Sequence, residues 1–220
     1  MTKLNIIPDD EGNTEFLYRH EADYLIYNSS GNVIGEHAGL VVDSFNVAHL
    51  VYLDKTAPYG TGSSPESQYS SFSDYADICE SQPVARPGGY WHSLAVRPSD
   101  GKICVAYQNM NTLHLEYACQ SSSPCAGWAV QEIDPSYGTG GYASLAFNSQ
   151  SQPYISYYDS SMGALKVATQ FGPNWDIQIV DDSGNKDVGR FTNIAIDSDD
   201  RVHVTYQNVT DNSFWHALGR

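Results

Sequence analysis

Basic side chains are scarce. Lysine and arginine number 11 against 26 aspartates and glutamates, for a formal charge of −15. Such a surface repels phosphate backbones and anionic lipid, which argues against nucleic acid or bare membrane as a partner. No apolar run approaches the roughly 20 residues of a membrane-spanning helix. There is no CxxC pair, so the common zinc patterns are missing. No phosphate-binding glycine loop or nucleophile elbow is present; Pro87-Gly88-Gly89 and Gly138-Thr139-Gly140-Gly141 read as turns entering strands. The start, Met1-Thr2-Lys3-Leu4, does not open a signal peptide, because Asp9, Asp10 and Glu11 arrive before any long apolar segment.

The four cysteines are Cys79, Cys104, Cys119 and Cys125. An even number suits an oxidising compartment, and with it an extracellular or cell-surface location. Cys119 and Cys125 flank the flexible segment Gln-Ser-Ser-Ser-Pro, so the spacing predicts a Cys119–Cys125 disulfide, which leaves Cys79 to pair with Cys104.

What the chain has in quantity is tyrosine, 16 residues, with 18 glycines and 10 prolines, a balance that favours short strands and many turns. Self-comparison reveals a repeat. Trp91-His92-Ser93-Leu94-Ala95-Val96 and Ile103–Asn109 are followed by Leu113–Ala118 and Trp128–Asp134. The same order returns as Tyr142–Phe147, Tyr154–Asp159, Ala164–Ala168 and Trp175–Asp181, and a third copy runs from Phe191 to Leu218. A weaker copy starts at His37. Its second strand is His49–Asp54, its third falls at Ser73–Ala76 after a polar insertion from Lys55 to about Ser71, and its fourth lies around Gln82–Ala85. Phe16–His20 and Tyr24–Tyr27 read as strands of a still earlier copy, and Leu4–Ile7 as one more.

Tyr52, Tyr107, Tyr157 and Tyr206 mark a period of about 50 residues, and the segments alternate with period two. Four short strands per period predict an all-β fold, a β-propeller of four-stranded antiparallel blades. The copies number four to five. The ring is then either incomplete or closed by a blade shared between the termini, and a second copy or a longer parent chain could complete it. The expected organisation is one domain over 1–220, with a partial blade at 1–36 and blades at about 37–87, 88–139, 140–187 and 188–220. The first strand of each copy should be innermost. Gly39, Ser93, Ser144 and Asn193 should line the axis, where only small residues fit, and Leu40, Leu94, Leu145 and Ile194 should be buried between blades.

The repeat resembles that of bacterial β-propeller proteins with degenerate sialidase-like or lectin-like repeats. Ser144-Leu145-Ala146, Pro153–Asp159, Leu165-Lys166-Val167-Ala168 and Trp175 with Val180-Asp181 carry the resemblance. The Asp-box of sialidase-like propellers, Ser-x-Asp-x-Gly-x-x-Trp, is absent. The resemblance implies a fold more than an activity. Because some propeller enzymes use His, Tyr and Arg, His92, His114, Tyr90 and Arg97 become the catalytic candidates for a polysaccharide lyase or glycoside hydrolase. Tyr90, Trp91, Tyr142 and Trp215 are the candidates for stacking on a sugar. No cofactor is called for, although Asp181, Asp182 and Asp187 form the acidic cluster best suited to calcium. The favoured reading is a non-catalytic binding module, carbohydrate-binding or adhesive, with a glycan or a protein as partner. A propeller enzyme and a protein-interaction scaffold are the alternatives.

Overall fold

The computed structural model describes residues 34–55, 65–73, 76–123, 125–184 and 186–219. The strands expected at Leu4–Ile7, Phe16–His20 and Tyr24–Tyr27 lie outside the described residues. Fifteen strands and no helix are found among those described. Each sheet is a simple antiparallel meander. The first holds β1 (Ile34–Val42), β2 (Ala48–Asp54), β3 (Glu66–Ser73) and β4 (Ala76–Ala85). The second holds β5 (Gly89–Val96), β6 (Ile103–Asn109), β7 (Leu115–Ser123) and β8 (Ala126–Asp134). The third holds β9 (Gly141–Phe147), β10 (Pro153–Asp159), β11 (Ala164–Phe171) and β12 (Asn174–Asp181). The last holds β13 (Val188–Ile196), β14 (Val202–Asn208) and β15 (Ser213–Gly219). First strands pack side by side, β1 on β5, β5 on β9 and β9 on β13, which makes them the inner strands of propeller blades. Among the described residues the sheets are not closed into a ring.

The register repeats with the sequence. Gly39, Ser93, Ser144 and Asn193 stand opposite Val51, Ala106, Ser156 and Thr205. The small residues face the next inner strand. Ser93 Oγ accepts the Leu145 N–H at 3.0 Å, and Ser144 Oγ accepts that of Ile194 at 3.1 Å. At Gly39 a Cβ would lie 2.6 Å from Leu94 Cδ1 and 2.7 Å from the His92 carbonyl oxygen, so only glycine fits. Leu94, Leu145 and Ile194 are buried against the preceding sheet. Leu40 departs from the expectation and is 62% exposed, because no described sheet precedes β1.

The first sheet corrects a second expectation. Its third strand is Glu66–Ser73, inside the stretch read as an insertion, and Ser73–Ala76 is where the chain passes from β3 to β4. The strand is polar, yet it pairs with β2 along its whole length and buries Tyr69 completely. Its alternation is hidden because the inward residues are mostly Ser, Gln and Tyr rather than aliphatic.

The disulfide expectation also fails. Cys104 and Cys119 are directly opposed on β6 and β7, with Cα atoms 4.1 Å apart, and are bonded to each other. Cys125 is itself disulfide-bonded, to neither of these. Cys119 faces Ala129 across the β7–β8 hairpin, so strand pairing directs it away from Cys125. Mass spectrometry of unreduced peptides should recover one species joining Cys104 to Cys119 and none joining Cys119 to Cys125.

Tyrosine hydroxyls latch consecutive sheets. Tyr157, on the second strand of the third sheet, donates to Asp134 at the end of β8, 2.8 Å away. Tyr206 donates to Asp181 at the end of β12 at 2.7 Å. Asp134 and Asp181 hold the same register, opposite Leu115 and Leu165. In the first sheet that register, opposite Ser67, belongs to Ala85, so the buried Tyr107 has no aspartate to meet. Lys166 joins the Asp134 latch, 3.2 Å from Asp134 and 2.7 Å from Asp159. Burial alone would raise the pKa of both aspartates. For Asp134, bonds from Tyr157 and Ser136 and the Lys166 charge outweigh burial; for Asp159, bonds from Lys166 and Ser161 do so. Both are held below the ordinary carboxylate value.

Three stability outcomes follow from this packing. Leu145→Ala should cost about 2–5 kcal/mol in urea unfolding, the usual range for a core leucine, whereas Leu40→Ala should cost less than about 1. Tyr157→Phe should cost about 1–3 kcal/mol by removing a donor from a buried carboxylate, and Tyr107→Phe much less. Carboxylates with depressed folded values contribute stability above about pH 4 that is lost as pH falls through those values, so unfolding midpoints should drop only below that pH. An acid profile that is flat in wild type, or unchanged by replacing both Asp134 and Asp159 with asparagine, would contradict the latch.

Candidate binding site: an arc of rings at the axis

Each inner strand carries a bulge at the same place. The register shifts between Glu36 and Gly39, between Tyr90 and Ser93, and between Arg190 and Asn193, and β9 shifts likewise against β10. The residue at the bulge has a left-handed backbone in all four strands: His37 (φ 52°), Trp91 (φ 60°), Tyr142 (φ 54°) and Phe191 (φ 51°). Bulky side chains rarely adopt this conformation, which costs on the order of 1–3 kcal/mol per residue. Here every one of the four is a ring.

The bulge aims these rings at one another. Ring centroids lie 4.6 Å apart for His37 and Trp91, 4.2 Å for Trp91 and Tyr142, and 4.5 Å for Tyr142 and Phe191. The contacts are tilted or edge-to-face, the arrangements that ring quadrupoles favour. Tyr90 extends the arc beside His37 at 5.1 Å. Phe191 is 58% exposed, and His37, Trp91 and Tyr142 are half-buried.

Polar groups converge at the Phe191 end. Tyr158 lies 6.2 Å from Tyr142 and donates its hydroxyl to Asp187 Oδ1 at 2.8 Å. Asp187 Oδ2 pairs with Arg190 Nη2 at 2.7 Å, and the Arg190 guanidinium lies over the Tyr158 ring at 5.4 Å. Burial, then the bond to Asp187, raises the Tyr158 pKa, so its phenol stays a neutral donor. The arc thus offers ring surface next to one cation, one carboxylate and one phenol.

Of the residues singled out in the sequence, Tyr90, Trp91 and Tyr142 come together here. Trp215 does not: it lies edge-on to Tyr206 at 6.2 Å, with Lys186 Nζ 5.9 Å from its ring. His92, His114, Tyr90 and Arg97 do not converge. His92 is buried under the arc, donating from Nδ1 to the His37 carbonyl and accepting from Ser67 Oγ at Nε2, both at 2.8 Å. Burial pushes its pKa down to about 4. It is a neutral strut between β1, β3 and β5. Arg97 pairs with Asp100 in the turn after β5, and His114 pairs with Glu132 on β8. The acidic cluster is likewise dispersed. Asp181 accepts from Ser183 and Tyr206, Asp182 is exposed, and Asp187 belongs to the arc. Among the described residues no three metal-binding side chains converge.

His37, Tyr158 and Arg190 join the site although the sequence did not put them forward for it; Phe191, one of the aromatics weighed in the sequence as a ligand platform, joins as well. The signal was available: two residues before Gly39, Ser93, Ser144 and Asn193 the repeat holds His, Trp, Tyr and Phe.

No protein-family model matches the chain, and no curated protein matches it in sequence. Solved structures do match in shape. A Hadza microbial sialidase superposes with a TM-score of 0.60 at 12% identity, over 88% of this chain and 46% of that one. The Penicillium chrysogenum α-L-arabinanase in complex with arabinobiose gives 0.56 at 9% identity, over 84% and 61%. The Podospora anserina α-L-arabinofuranosidase PaAbf62A in complex with cellotriose gives 0.52 at 14% identity, over 91% and 65%. At these identities the likeness is one of fold, an all-β propeller of antiparallel sheets, and the chain spans less than two thirds of the length of each.

Proposed function

We propose that this chain binds carbohydrate along the aromatic arc, as a binding module without catalysis of its own, in an oxidising environment outside the cell. The observation that carries the reading is the row of four rings in strained backbone at equivalent places. Ring faces suit the C–H faces of sugars, and Arg190, Asp187 and Tyr158 supply donors and an acceptor for hydroxyl groups, which need both. Strain of this kind persists where surrounding structure fixes it, and it clusters at ligand sites. The matched structures are a sialidase, an arabinanase and an arabinofuranosidase, enzymes named for sugar substrates, which supports the same ligand class here. The bonded cysteines agree with an oxidising compartment. No described helix is long and apolar enough to cross a membrane.

A hydrolase is the second reading, favoured because the matched structures are enzymes. It requires two carboxylates flanking the scissile bond. Asp187, the carboxylate bonded into the arc's polar end, is already paired with Arg190.

Titration calorimetry against arabino-, xylo- and cello-oligosaccharides and sialyllactose should reveal binding to at least one class. Tyr142→Ala and Phe191→Gly should each weaken that binding on the order of tenfold or more. Phe191→Gly also removes a strained backbone, so it should leave stability unchanged or raised, which separates lost binding from lost folding. Absence of binding to every class, or full affinity in both variants, would sink the reading. Release of reducing sugar by wild type, abolished by Asp187→Asn, would establish the hydrolase instead.

A further inference from the structure

Two histidines meet on the open face of the last sheet. His203 Nδ1, on β14, lies 3.1 Å from His216 Nε2, on β15. The other nitrogen of His203, Nε2, is 3.1 Å from Asp197 Oδ2. An ionised carboxylate only accepts, so Nε2 carries the proton, and Nδ1 presents a lone pair to His216. Asp197 is held in turn by the backbone N–H groups of Asp199 and Arg201, at 2.9 Å each, and by Arg201 Nε at 2.8 Å. It therefore orients the ring and has little freedom to act as a ligand itself.

The repeat shows what is particular about this place. The first sheet has the same chain of groups: Asp43 faces His49 Nε2 at 3.2 Å, and His49 Nδ1 meets the Tyr69 hydroxyl at 2.7 Å. There the third member is a tyrosine, further bonded by Gln120 and covered by Trp128, and it is completely buried. His216 stands opposite Thr205 just as Tyr69 stands opposite Val51. In the last sheet a second imidazole has replaced the phenol, and His216 is exposed while His203 is half-buried.

We propose that His203 and His216 together bind a divalent first-row transition ion of the kind that prefers imidazole, with solvent completing its coordination and Asp197 fixing the His203 ring. Two nitrogens bound to one tetrahedral ion at about 2.0–2.1 Å stand roughly 3.3 Å apart, close to the spacing already present. The ring planes differ by 20°. In this hydrogen bond His216 Nε2 donates to His203 Nδ1; shifting the His216 proton to its other ring nitrogen, with a modest rotation of that exposed side chain, frees the Nε2 lone pair for an ion shared with His203 Nδ1. A carboxylate on the distal nitrogen of a ligating histidine fixes its tautomer and raises its basicity. The surplus of negative charge on the chain adds a general attraction for cations.

Calorimetric titration of the native chain with zinc chloride, and separately with copper(II) chloride, should show saturable binding of a single ion. His216→Tyr is the decisive variant, because the fold already holds tyrosine at the matching place in its first sheet. It should keep the circular dichroism spectrum and unfolding midpoint of wild type and lose at least about tenfold in affinity; Asp197→Asn should lose a smaller factor. His114→Ala, in the connection between β6 and β7, should bind as wild type does. Copper-bound protein should give an electron paramagnetic resonance spectrum with nitrogen coupling that His216→Tyr alters. No saturable binding of either ion, or wild-type affinity in folded His216→Tyr, would overturn the assignment.

Discussion

Neighbouring inner strands come so close at the axis that a methyl group on Gly39 would collide with the Leu94 side chain and the His92 carbonyl. The rest of the architecture follows from that crowding. Two serines relieve it by accepting an N–H from the next strand, so the residue that is small enough also satisfies a backbone donor. With that spacing set, Leu94, Leu145 and Ile194 fall on the face toward the preceding sheet and seal each interface. The bulge two residues earlier is part of the same solution. An extra residue there lets the strand leave the crowded axis, and its side chain is thrown outward to meet the one from the next blade.

Away from the axis a second, weaker device holds the sheets together. Tyr157 and Tyr206, on the second strands of the last two sheets, each reach the aspartate that ends the previous sheet, and in one interface a lysine is added between two aspartates. A buried ion pair contributes little net stability when burial costs nearly as much as the attraction returns, but losing one partner is expensive. The latch therefore acts more on specificity of assembly than on overall stability. Its absence at Ala85 fits a first sheet whose outer strand is the most irregular of the four-stranded sheets, with three register shifts against β3.

The sequence made the inner and second strands legible because the same short apolar and tyrosine-marked segments return at a fixed period of about 50 residues. β3 was not legible, since a strand of Glu, Ser, Gln and Tyr looks like an insertion until its partner is known. Leu40 reads like Leu94 and Leu145 in sequence and differs only in having no described neighbour, which no local pattern encodes. The Cys104–Cys119 bond depends on which residues face each other across β6 and β7. The short sequence gap between Cys119 and Cys125 suggested a different partner because loop closure ignores strand direction. His92 drew attention for its chemistry, but its burial and two engaged nitrogens make it a strut.

In a repeat, positions that stay alike and positions that diverge carry different information. The Gly/Ser column and the Leu column stay alike because packing at the axis demands it. The bulge column holds four different rings, so geometry requires a side chain able to reach its neighbour while leaving its identity open. The column of Tyr69, Tyr117, Val167 and His216 diverges further, and each residue there is matched to what covers it. Trp128 lies on Tyr69 and Trp175 on Tyr117. Val167 lines a cavity of about 290 Å³ shared with β12, β14 and β15, at the interface with the last sheet, which has three strands among the described residues. His216 faces solvent and meets His203. Where a covering strand removes water, an aromatic or aliphatic residue is the stable choice; where water remains, the same backbone can hold a nitrogen donor at no packing cost. Chemistry in this chain is therefore to be sought where the repeat changes at a solvent-facing position, and the arc and the histidine pair are two such places.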